Sequence, residues 1–280
     1  MRQVTFPSYS VLMSVYAKER PEWLRAAVES MLSQTVPPSE FVIVEDGPLT
    51  DELYKEIARF VAGNPSLFRV VSYPENRGLG YALREGIASC TKPVVARMDS
   101  DDLARPKRLE TQLFLMEERG LDMVGSQVVE FVESPDRPVA VTDLPEGYDA
   151  IVAYSKRRNP FRHPPMTFRR EKVLEAGSYS SEFFYFEDWD LFNRMLAIGC
   201  RAENIHEPLV AMRVTSDFYA RRGGVAYLRH AWRFKRSQVR RGWFTPVDFV
   251  ASFLPQAAVC LLPNVTRIAI YTKMLRKRNR

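Results

Sequence analysis

The sequence is poor in cysteine. Its 280 residues include three cysteines, Cys90, Cys200 and Cys260, which lie far apart and form no CxxC pair. An odd number of isolated cysteines argues against a secreted disulfide scaffold and against a zinc cluster. The first residues also lack the apolar core of a secretory signal, so none is expected. A chain of this length buries enough surface to fold without disulfides or a structural metal.

Acidic residues are scarce in the last quarter of the chain. From residue 213 to residue 280, fifteen Lys or Arg stand against two acids, whereas the net charge of the whole chain is only +6. An acidic body with a basic tail predicts a catalytic region attached to a segment that meets anions. The longest uncharged stretch, 249–266, contains Pro255 and Pro263 and is a poor candidate for a membrane-spanning helix.

Short apolar runs alternate with amphipathic segments over the first 130 residues. The runs that predict strands are 10–15, 41–44, 68–73 and 94–98. The helical patterns begin at Pro21, after Thr50 as N-cap, at 79–88 and at Pro106. This order predicts an α/β fold with a mostly parallel, doubly wound sheet, in which ligands bind beyond the carboxyl ends of the strands.

The second half of the chain is less regular. The proline-rich segment 133–165 predicts a loop region with one short helix near 150–156. The aromatic residues at 183–186 favour an extended segment, and helices are predicted at 188–198 and 225–241.

Three carboxylates follow the predicted strand 94–98, in the order Asp99-Ser100-Asp101-Asp102. Carboxylates this close together repel one another, and such a cluster is usually tolerated because a cation binds to it. Oxygen ligands suit Mg²⁺ or Mn²⁺, and protein-bound Mg²⁺ typically takes one or two carboxylates together with substrate phosphates. The alternative from this motif alone is an acidic turn that caps the next helix.

Two loops after other strands carry further candidates. Asp46, in Glu45-Asp46-Gly47, can accept hydrogen bonds from a nucleobase or ribose, although the same residues would serve as a strand-exit turn. The glycines of Asn76-Arg77-Gly78-Leu79-Gly80 open a predicted helix, where backbone N–H groups can approach a phosphate. This motif is not a GxGxxG and lacks the lysine of a P-loop, so it indicates little by itself.

A last acidic pair, Glu187-Asp188, follows the aromatic residues 183–186. Partial burial beside aromatic rings raises the pKa of a carboxylate towards a value useful for a general base. The same acids would also stabilise the N-terminus of the predicted helix. His163 is the remaining candidate, and a single histidine is more often structural than functional.

In order and spacing, these motifs resemble those of family-2 glycosyltransferases. The resemblance covers residues 8–215 and rests on SVLMSVY, VEDG, NRGLG, MDSDD and FEDWDL. It implies a GT-A fold and an inverting transfer from a nucleotide sugar, as in bacterial enzymes of capsule, exopolysaccharide or O-antigen assembly. The implied organisation is a catalytic domain, 1–215, with a nucleotide-sugar half at about 8–130 and an acceptor half at about 131–215. A basic helical extension, 216–280, follows it.

The resemblance also implies residue roles. The implied nucleotide-sugar-binding residues are Ser14, Tyr16, Asp46, Arg77, Gly78, Asp99, Ser100 and Glu187. Ser14 and Tyr16 match positions of the nucleoside pocket, and Asp46 matches the residue that binds the base, usually uracil. Asp99 and Asp101 match the DxD pair, which holds a divalent Mn²⁺ or Mg²⁺ on the diphosphate. Asp188 matches the catalytic base.

The sequence departs from the family pattern in two places. Ala82-Leu83-Arg84 stands where the family usually has Ala-Arg-Asn, which leaves an arginine contact to the nucleotide unassigned. The QxxRW signature of processive synthases is absent, which predicts transfer of one sugar per encounter.

The tail indicates where the protein acts. Basic residues beside tryptophans and an apolar stretch favour an anionic membrane surface, where a polyprenyl-diphosphate-linked acceptor would lie. We therefore expect a cytoplasmic protein, peripheral on the inner face of the cell membrane. No nucleic-acid-binding module is recognisable, so nucleic acid is not an expected partner. The alternative for the tail is a helical subdomain packed on the catalytic body.

Two alternative functions remain open from the sequence. A sugar nucleotidyltransferase would normally have a glycine-rich phosphate loop after the first strand, where this chain has Tyr16-Ala17-Lys18-Glu19-Arg20-Pro21. The other alternative is a non-catalytic, membrane-associated binding module.

Overall fold

The computed structural model describes residues 6–214 and 223–262 of the chain. Its strands are β1 (Tyr9–Val15), β2 (Glu40–Glu45), β3 (Phe68–Ser72), β4 (Val94–Asp99), β5 (Leu103–Ala104), β6 (Met123–Phe131), β7 (Ala140–Val141), β8 (Thr167–Arg169) and β9 (Ala202–Arg213). Its helices are α1 (Pro21–Leu32), α2 (Asp51–Gly63), α3 (Leu79–Ser89), α4 (Arg108–Arg119), α5 (Tyr148–Ser155), α6 (Arg170–Glu175), α7 (Glu187–Ala197), α8 (Gly224–Arg240) and α9 (Pro246–Cys260).

These strands form one sheet in the order β3-β2-β1-β4-β8-β6-β9-β5, with β7 paired to β6. Neighbouring strands from β3 to β4 are parallel, β8 is antiparallel to both β4 and β6, and β9 is parallel to β6. The predicted α/β fold with a mostly parallel sheet is confirmed. The strand order reverses between β1 and β4, which is where sheets of this kind form a ligand crevice.

Helices cover both faces of the parallel strands, because these strands carry apolar side chains on both faces. One face packs against α1, α2 and α4 through Leu24, Leu53 and Leu109. The other packs against α3, α6 and α7 through Ala82, Val173 and Leu191. The sheet is therefore doubly wound, and the carboxyl ends of β1, β2 and β4 are left as one edge that the site can occupy.

Local predictions hold for most elements, with two corrections. Thr50 is the N-cap of α2, and its Oγ1 accepts a hydrogen bond from the backbone N–H of Leu53 at 3.4 Å. The aromatic segment 183–186 is a turn rather than extended, with a φ of 72° at Tyr185. Strand β9 was not predicted, because the pairing register with β6 shifts near Pro208 and this interrupts the alternation of apolar and polar residues.

The helices α8 and α9 pack on the catalytic body rather than apart from it. Tyr227 and Phe234 of α8 share an apolar cluster with Phe183 and Phe186 from the turn before α7. Polar contacts join the same helices, because the buried carboxylate of Asp190 in α7 accepts hydrogen bonds from Gln238 and Arg241. The packing predicted as the alternative for the tail is therefore present in this part of it. The remaining parts of the predicted extension, 216–222 and 263–280, lie outside the described residues.

Lys235 at the α8–α9 contact provides a test of this packing. Its side chain is 1% exposed, Nζ donates to the carbonyl of Ser252 at 2.6 Å, and burial lowers the pKa of the ammonium group to about 7. Between that pH and about 10 the unfolded chain binds more protons, so the free energy of unfolding rises with pH. We expect Lys235→Met to raise the melting temperature relative to the wild type by more at neutral pH than at about pH 10.

Differential scanning calorimetry at the two pH values measures this difference. Lys55→Met, at an exposed position, is the control and should show no such pH dependence. An equal effect of Lys235→Met at both pH values would contradict a charge-burial cost at this contact.

Candidate active site

The carboxyl ends of three parallel strands bring the first candidate residues together. Ser14, near the end of β1, pairs with Val44 of β2 on one side and with Asp99 of β4 on the other. Ser14 is partly buried, and Tyr16, just beyond the strand, is 39% exposed. The edge therefore presents a partly open surface between Asp46 and the carboxylates that follow β4.

Asp46 organises the loop that follows β3. One carboxylate oxygen accepts hydrogen bonds from the hydroxyl of Tyr73 and the backbone N–H of Arg77, both at 2.8 Å. The other accepts from Asn76 Nδ2 at 3.0 Å and from the backbone N–H of Gly78 at 3.1 Å. Burial and this carboxylate together raise the pKa of Tyr73. Asp46 is 4% exposed, and its carboxylate holds the Asn76–Gly78 loop in place through these hydrogen bonds.

Two glycines allow this loop to approach its neighbours. A Cβ at Gly47 would lie 2.4 Å from the backbone nitrogen of Asn76, and the residue has a φ of +79°. A Cβ at Gly80 would lie 2.4 Å from the carbonyl of Ser180 and 3.3 Å from the Cβ of Glu187. Glycine at position 80 thus lets the start of α3 contact the start of α7, which brings the Asn76–Gly78 loop near Glu187.

Arg77 and Arg84 both lie over the ring of Tyr81, at 3.8 and 4.9 Å from its centroid. Arg84 also pairs with Glu85 at 3.4 Å. Arg77 is exposed. Both guanidinium groups therefore stand at the surface of this loop.

Asp99, Asp101 and Asp102 form a compact carboxylate cluster. Their ligand oxygens lie within 4.8 Å of one another. Burial, together with the nearby charges of Asp99 and Glu19, raises the pKa of Asp101 to about 7. Asp102 is 1% exposed, and burial together with the charges of Asp101 and Asp99 raises its pKa well above the usual range. The fold therefore holds together acidic groups that repel one another.

The cluster fits a divalent cation on its chemistry. Carboxylate oxygens are the ligands that Mg²⁺ and Mn²⁺ prefer. One of these oxygens, Oδ2 of Asp102, is buried and has no hydrogen-bond partner within the described part of the chain. A cation would compensate both the mutual repulsion and this unpaired acceptor. Asp99 and Asp101, the two predicted ligands, are both partly accessible.

Sequence reasoning missed Arg97, which lies directly beneath this cluster. Arg97 is 2% exposed in β4 and its guanidinium donates to the carboxylate of Asp99. Its Nε and Nη1 atoms are buried and have no hydrogen-bond partner among the described residues. A single arginine inside the apolar run VVARMD is the signal that would have found it, since a charged residue within a buried strand requires a specific partner.

Arg213 and Glu19 were missed for a different reason, because each is distant in sequence from the cluster. Arg213, the last residue of β9, donates its backbone N–H to Asp102 at 2.7 Å and its Nε to the carbonyl of Asp101 at 3.1 Å. Glu19 accepts a hydrogen bond from the hydroxyl of Ser100, and burial raises the pKa of the Glu19 carboxyl. Ser100, predicted to contact the donor, is 6% exposed and directs its hydroxyl at Glu19.

Asp188 lies in the first turn of α7, where Asn159 orients it. Asn159 Nδ2 donates to Oδ2 of Asp188 at 2.7 Å, while Oδ1 accepts the backbone N–H of Trp189 at 2.6 Å. Glu187 and Asp188 are both partly buried. The helix N-terminus also stabilises these charges, so the two interpretations of the acidic pair are compatible.

Tyr179 is a buried residue whose hydroxyl responds to the charges of both acidic groups. Burial raises the pKa of its hydroxyl, Arg97 lowers it, and the charges of Asp188, Glu187 and Asp99 raise it further. Both acidic groups therefore influence the same buried hydroxyl.

His163 supports Tyr179 from below. Its Nε2 lies 2.8 Å from the Tyr179 hydroxyl, and its ring packs against Phe192 with the centroids 6.0 Å apart. Burial, with a smaller contribution from Arg97, lowers the pKa of His163 well below its usual range. His163 is thus a neutral, hydrogen-bonded core histidine that holds Tyr179 in position.

The sequence family of the chain follows from a match that covers more than half of its residues. The family described as glycosyl transferase family 2 matches residues 10–177, which span β1 to α6 and include the carboxylate cluster. The chain belongs to this family. The predicted family is confirmed, and the protein is a glycosyltransferase rather than a nucleotidyltransferase or a non-catalytic binding module.

Relatives of nearly equal length support the assignment. The chain is 34% identical over 275 residues to the UDP-Gal:alpha-D-GlcNAc-diphosphoundecaprenol beta-1,3-galactosyltransferase of Escherichia coli, covering 97% of this chain and 98% of the relative. It is 36% identical over 269 residues to the amylovoran biosynthesis glycosyltransferase AmsE of Erwinia amylovora, covering 95% and 98%. The predicted similarity to bacterial enzymes of surface polysaccharide assembly is confirmed.

Solved structures share the fold. The mannosyltransferase PcManGT from Pyrobaculum calidifontis, in complex with GDP-Man and Mn²⁺, superimposes with a TM-score of 0.61 at 19% identity, covering 96% of this chain and 76% of that one. S. aureus TarS 1–349 in complex with UDP-GlcNAc superimposes with a TM-score of 0.64 at 14% identity, covering 95% and 73%. These are GT-A-type glycosyltransferases, so the predicted GT-A fold is confirmed.

Proposed function

We propose that this glycosyltransferase moves a sugar from a UDP-sugar to a hydroxyl of a saccharide linked to a polyprenyl diphosphate, with inversion at the anomeric carbon. The observation that carries the proposal is the compact cluster of Asp99, Asp101 and Asp102 at the carboxyl end of β4, beside the end of β1. The relatives support the substrates, because one of them is a UDP-Gal-dependent transferase to a diphosphoundecaprenol-linked sugar.

The donor occupies the edge formed by β1, β2 and β4. Ser14 and Tyr16 line the nucleoside pocket, and the Asp46 carboxylate faces the base while it holds the following loop. Arg77 and Gly78 of that loop, with Ser100 and Glu187, complete the surroundings of the donor. The position of Ser14, Asp46 and Asp99 at one end of the sheet supports these roles.

Asp99 and Asp101 would hold Mn²⁺ or Mg²⁺ on the donor diphosphate. When bound, the ion neutralises charge that develops on the leaving group. Arg97 fixes the orientation of Asp99 from beneath, and Arg213 fixes the backbone of Asp101 from the side. The chain thus holds its ligand carboxylates in place before the donor arrives.

Asp188 acts as the general base. Its carboxylate takes the proton from the acceptor hydroxyl as the hydroxyl oxygen attacks the anomeric carbon, and the bond to the diphosphate breaks. Asn159 keeps one carboxylate oxygen oriented by donating to it at 2.7 Å. A single base without a covalent nucleophile produces inversion in one displacement, as in inverting glycosidases. A base positioned in this way typically contributes about 10²–10⁴-fold to the rate.

We further propose that the catalytic domain spans 1–215, with the donor half at 8–130 and the acceptor half at 131–215, and that 216–280 forms the basic extension. Because the QxxRW signature is absent from the sequence, the enzyme adds one sugar per encounter. The lipid tail of the acceptor places the reaction at an anionic membrane surface. We therefore assign the enzyme to the cytoplasm, peripheral on the inner face of the membrane.

Thermal denaturation with nucleotides tests the donor site. UDP with Mn²⁺ should stabilise the native state by mass action, by about 2.7 kcal/mol when the ligand is at 100 times its Kd. For a chain of this size the melting temperature would rise by at least about 5 °C. UDP with EDTA, and Mn²⁺ alone, should each produce a smaller shift. If no nucleoside diphosphate changes the melting temperature even in large excess, the donor site is wrong.

A further inference from the structure

The outward side of α8 carries a stripe of arginines. They recur at alternating spacings of four and three residues, which places them along one side of a helix. These arginines are Arg229, Arg233, Arg236 and Arg240. All are exposed, and none forms an ion pair with a residue in 6–214 or 223–262. Like charges at these spacings destabilise an isolated helix, and an anionic partner would offset that cost.

The neighbouring helix α9 exposes an apolar side. Three aliphatic side chains of α9 are at least half exposed: Val247 at 73%, Val250 at 50% and Leu254 at 60%. Leu261, directly after the helix, is 63% exposed. Their spacing of three, four and seven residues places them on one side of the helix. Asp248 is the one charged residue in the sequence of α9, and it forms the capping box with Thr245 at the start of the helix. A contiguous exposed apolar surface marks an interaction site.

Trp232 joins the arginine stripe to the apolar side. Its ring packs edge-on against Phe249 and Phe253 of α9, with centroid distances of 4.9 and 5.1 Å, yet it remains 45% exposed. A cavity of about 220 Å³ beside this ring is lined by Glu182, Trp232, Arg233, Arg236, Ser237 and Arg240. Tryptophan and arginine together suit the boundary between lipid headgroups and acyl chains.

We infer that α8 and α9 form a docking surface for an anionic lipid bilayer. In this arrangement α9 lies along the membrane with its apolar side in the headgroup–acyl boundary, and the arginine stripe contacts lipid phosphates. Within the described ranges no helix is long and apolar enough to cross the bilayer. A second copy of the chain is a poorer occupant, because a two-fold contact through this surface would oppose two arginine stripes.

The role of this docking surface rests on the proposed function. The inference adds to that function which helices bind the membrane, α8 and α9, and which partner they bind, an anionic bilayer. The buried side of α8 packs against the turn that precedes Asp188. The contact is between Tyr227 and Phe186, whose ring centroids are 5.5 Å apart. When the exposed sides of α8 and α9 bind the bilayer, α7 with Asp188 therefore stays packed against the opposite side of α8. A lipid-linked acceptor would then meet the active site without release of the protein from the membrane.

Vesicle co-sedimentation of the full chain tests the inference without any sugar nucleotide. The wild type should bind phosphatidylglycerol-containing vesicles more tightly than phosphatidylcholine vesicles, and salt should weaken the binding. Replacing the four stripe arginines by Gln should lower the affinity for the anionic vesicles at least about tenfold. The double variant Val250→Asp with Leu254→Asp should lose binding to both kinds of vesicle.

Matched variants separate this surface from general charge and hydrophobicity. The charge control replaces four exposed cations elsewhere by Gln: Lys55, Lys107, Arg137 and Arg201. The apolar control is Val132→Asp with Val139→Asp, at positions 51% and 50% exposed. Both controls should bind vesicles like the wild type. Equal loss in a control, or wild-type binding by the stripe variant, would overturn the inference.

Two further measurements complete the test. Sedimentation velocity asks whether the apolar side pairs copies of the chain, and a dimer that Val250→Asp with Leu254→Asp converts to a monomer would overturn bilayer docking. Transfer to a water-soluble acceptor should be unchanged in the stripe variant, because its residues lie outside the active site. If the wild type binds vesicles as expected but transfers no sugar from any donor, the docking surface stands and the proposed function fails.

Discussion

Asp188→Asn is expected to lower the turnover number by at least about 10²-fold while UDP binding stays as in the wild type. The amide keeps the size of the side chain and can still accept a hydrogen bond, but it cannot take the proton of the acceptor hydroxyl. Asn159 already donates to one oxygen of this carboxylate, so the variant retains a comparable contact. Transfer would be measured as release of UDP dependent on acceptor, and binding as the UDP-induced shift in melting temperature.

The control for Asp188→Asn is Asp136→Asn, an exposed carboxylate in a different part of the chain. It removes the same charge and should leave both transfer and UDP binding intact. Asn159→Ala should transfer sugar at a rate between those of the wild type and Asp188→Asn, because it leaves the Asp188 carboxylate but removes the donor that orients it. Normal transfer by Asp188→Asn would show that another group accepts the proton. Loss of UDP binding in that variant would mean instead that Asp188 contributes to the donor site.

Asp101→Asn is expected to change the protein in opposite directions with and without the metal. Without a metal, the variant should melt at a higher temperature than the wild type, because it removes a partly buried carboxylate charge that is repelled by the charges of Asp99 and Glu19. With Mn²⁺ and UDP, the wild type should gain stability and the variant should not, because the variant has lost a carboxylate ligand. Transfer should fall by about 10²-fold or more through the loss of charge stabilisation.

Thermal melts in EDTA and in Mn²⁺ with UDP measure both effects, and titration calorimetry with Mn²⁺ measures the metal separately. Asp136→Asn again serves as the control and should show neither effect. A variant at position 101 that binds Mn²⁺ and UDP as the wild type does would exclude this carboxylate as a ligand. If Asp101→Asn melts at a lower temperature than the wild type in EDTA, the carboxylate cluster is stabilised in some way other than by a cation.

The local motifs were readable from the sequence because each lies at the end of a strand. Asp46 and Asp99 follow runs of apolar residues, and parallel strands bring their carboxyl ends to one edge. Thr50 was also readable, since capping depends on residues only three apart. These features depend on local periodicity and on the rule that parallel strands end at one edge of the sheet, and both can be applied to the sequence alone.

The supporting residues were not readable because their partners are remote in the chain. Arg213 reaches Asp101 and Asp102 from the end of β9, and the irregular register of β9 conceals that strand. Arg97 stands two positions before Asp99, yet only burial makes its charge significant. Tyr179 lies in an unremarkable stretch, and its hydrogen bond with His163 exists only because the fold brings these two buried residues together.

By itself the sequence determined the family, through the resemblance of five short motifs in order. It also determined the α/β class and the acidic residues at the strand ends, because these follow from local patterns of hydrophobicity and charge. The tertiary structure decided which groups act together. It made His163 a neutral core residue hydrogen-bonded to Tyr179, and it gave helices α8 and α9 of the basic tail a packed side and an exposed side. Side chains far apart in the chain meet only when the sheet and its covering helices bury them together, and periodicity along the chain does not contain that information.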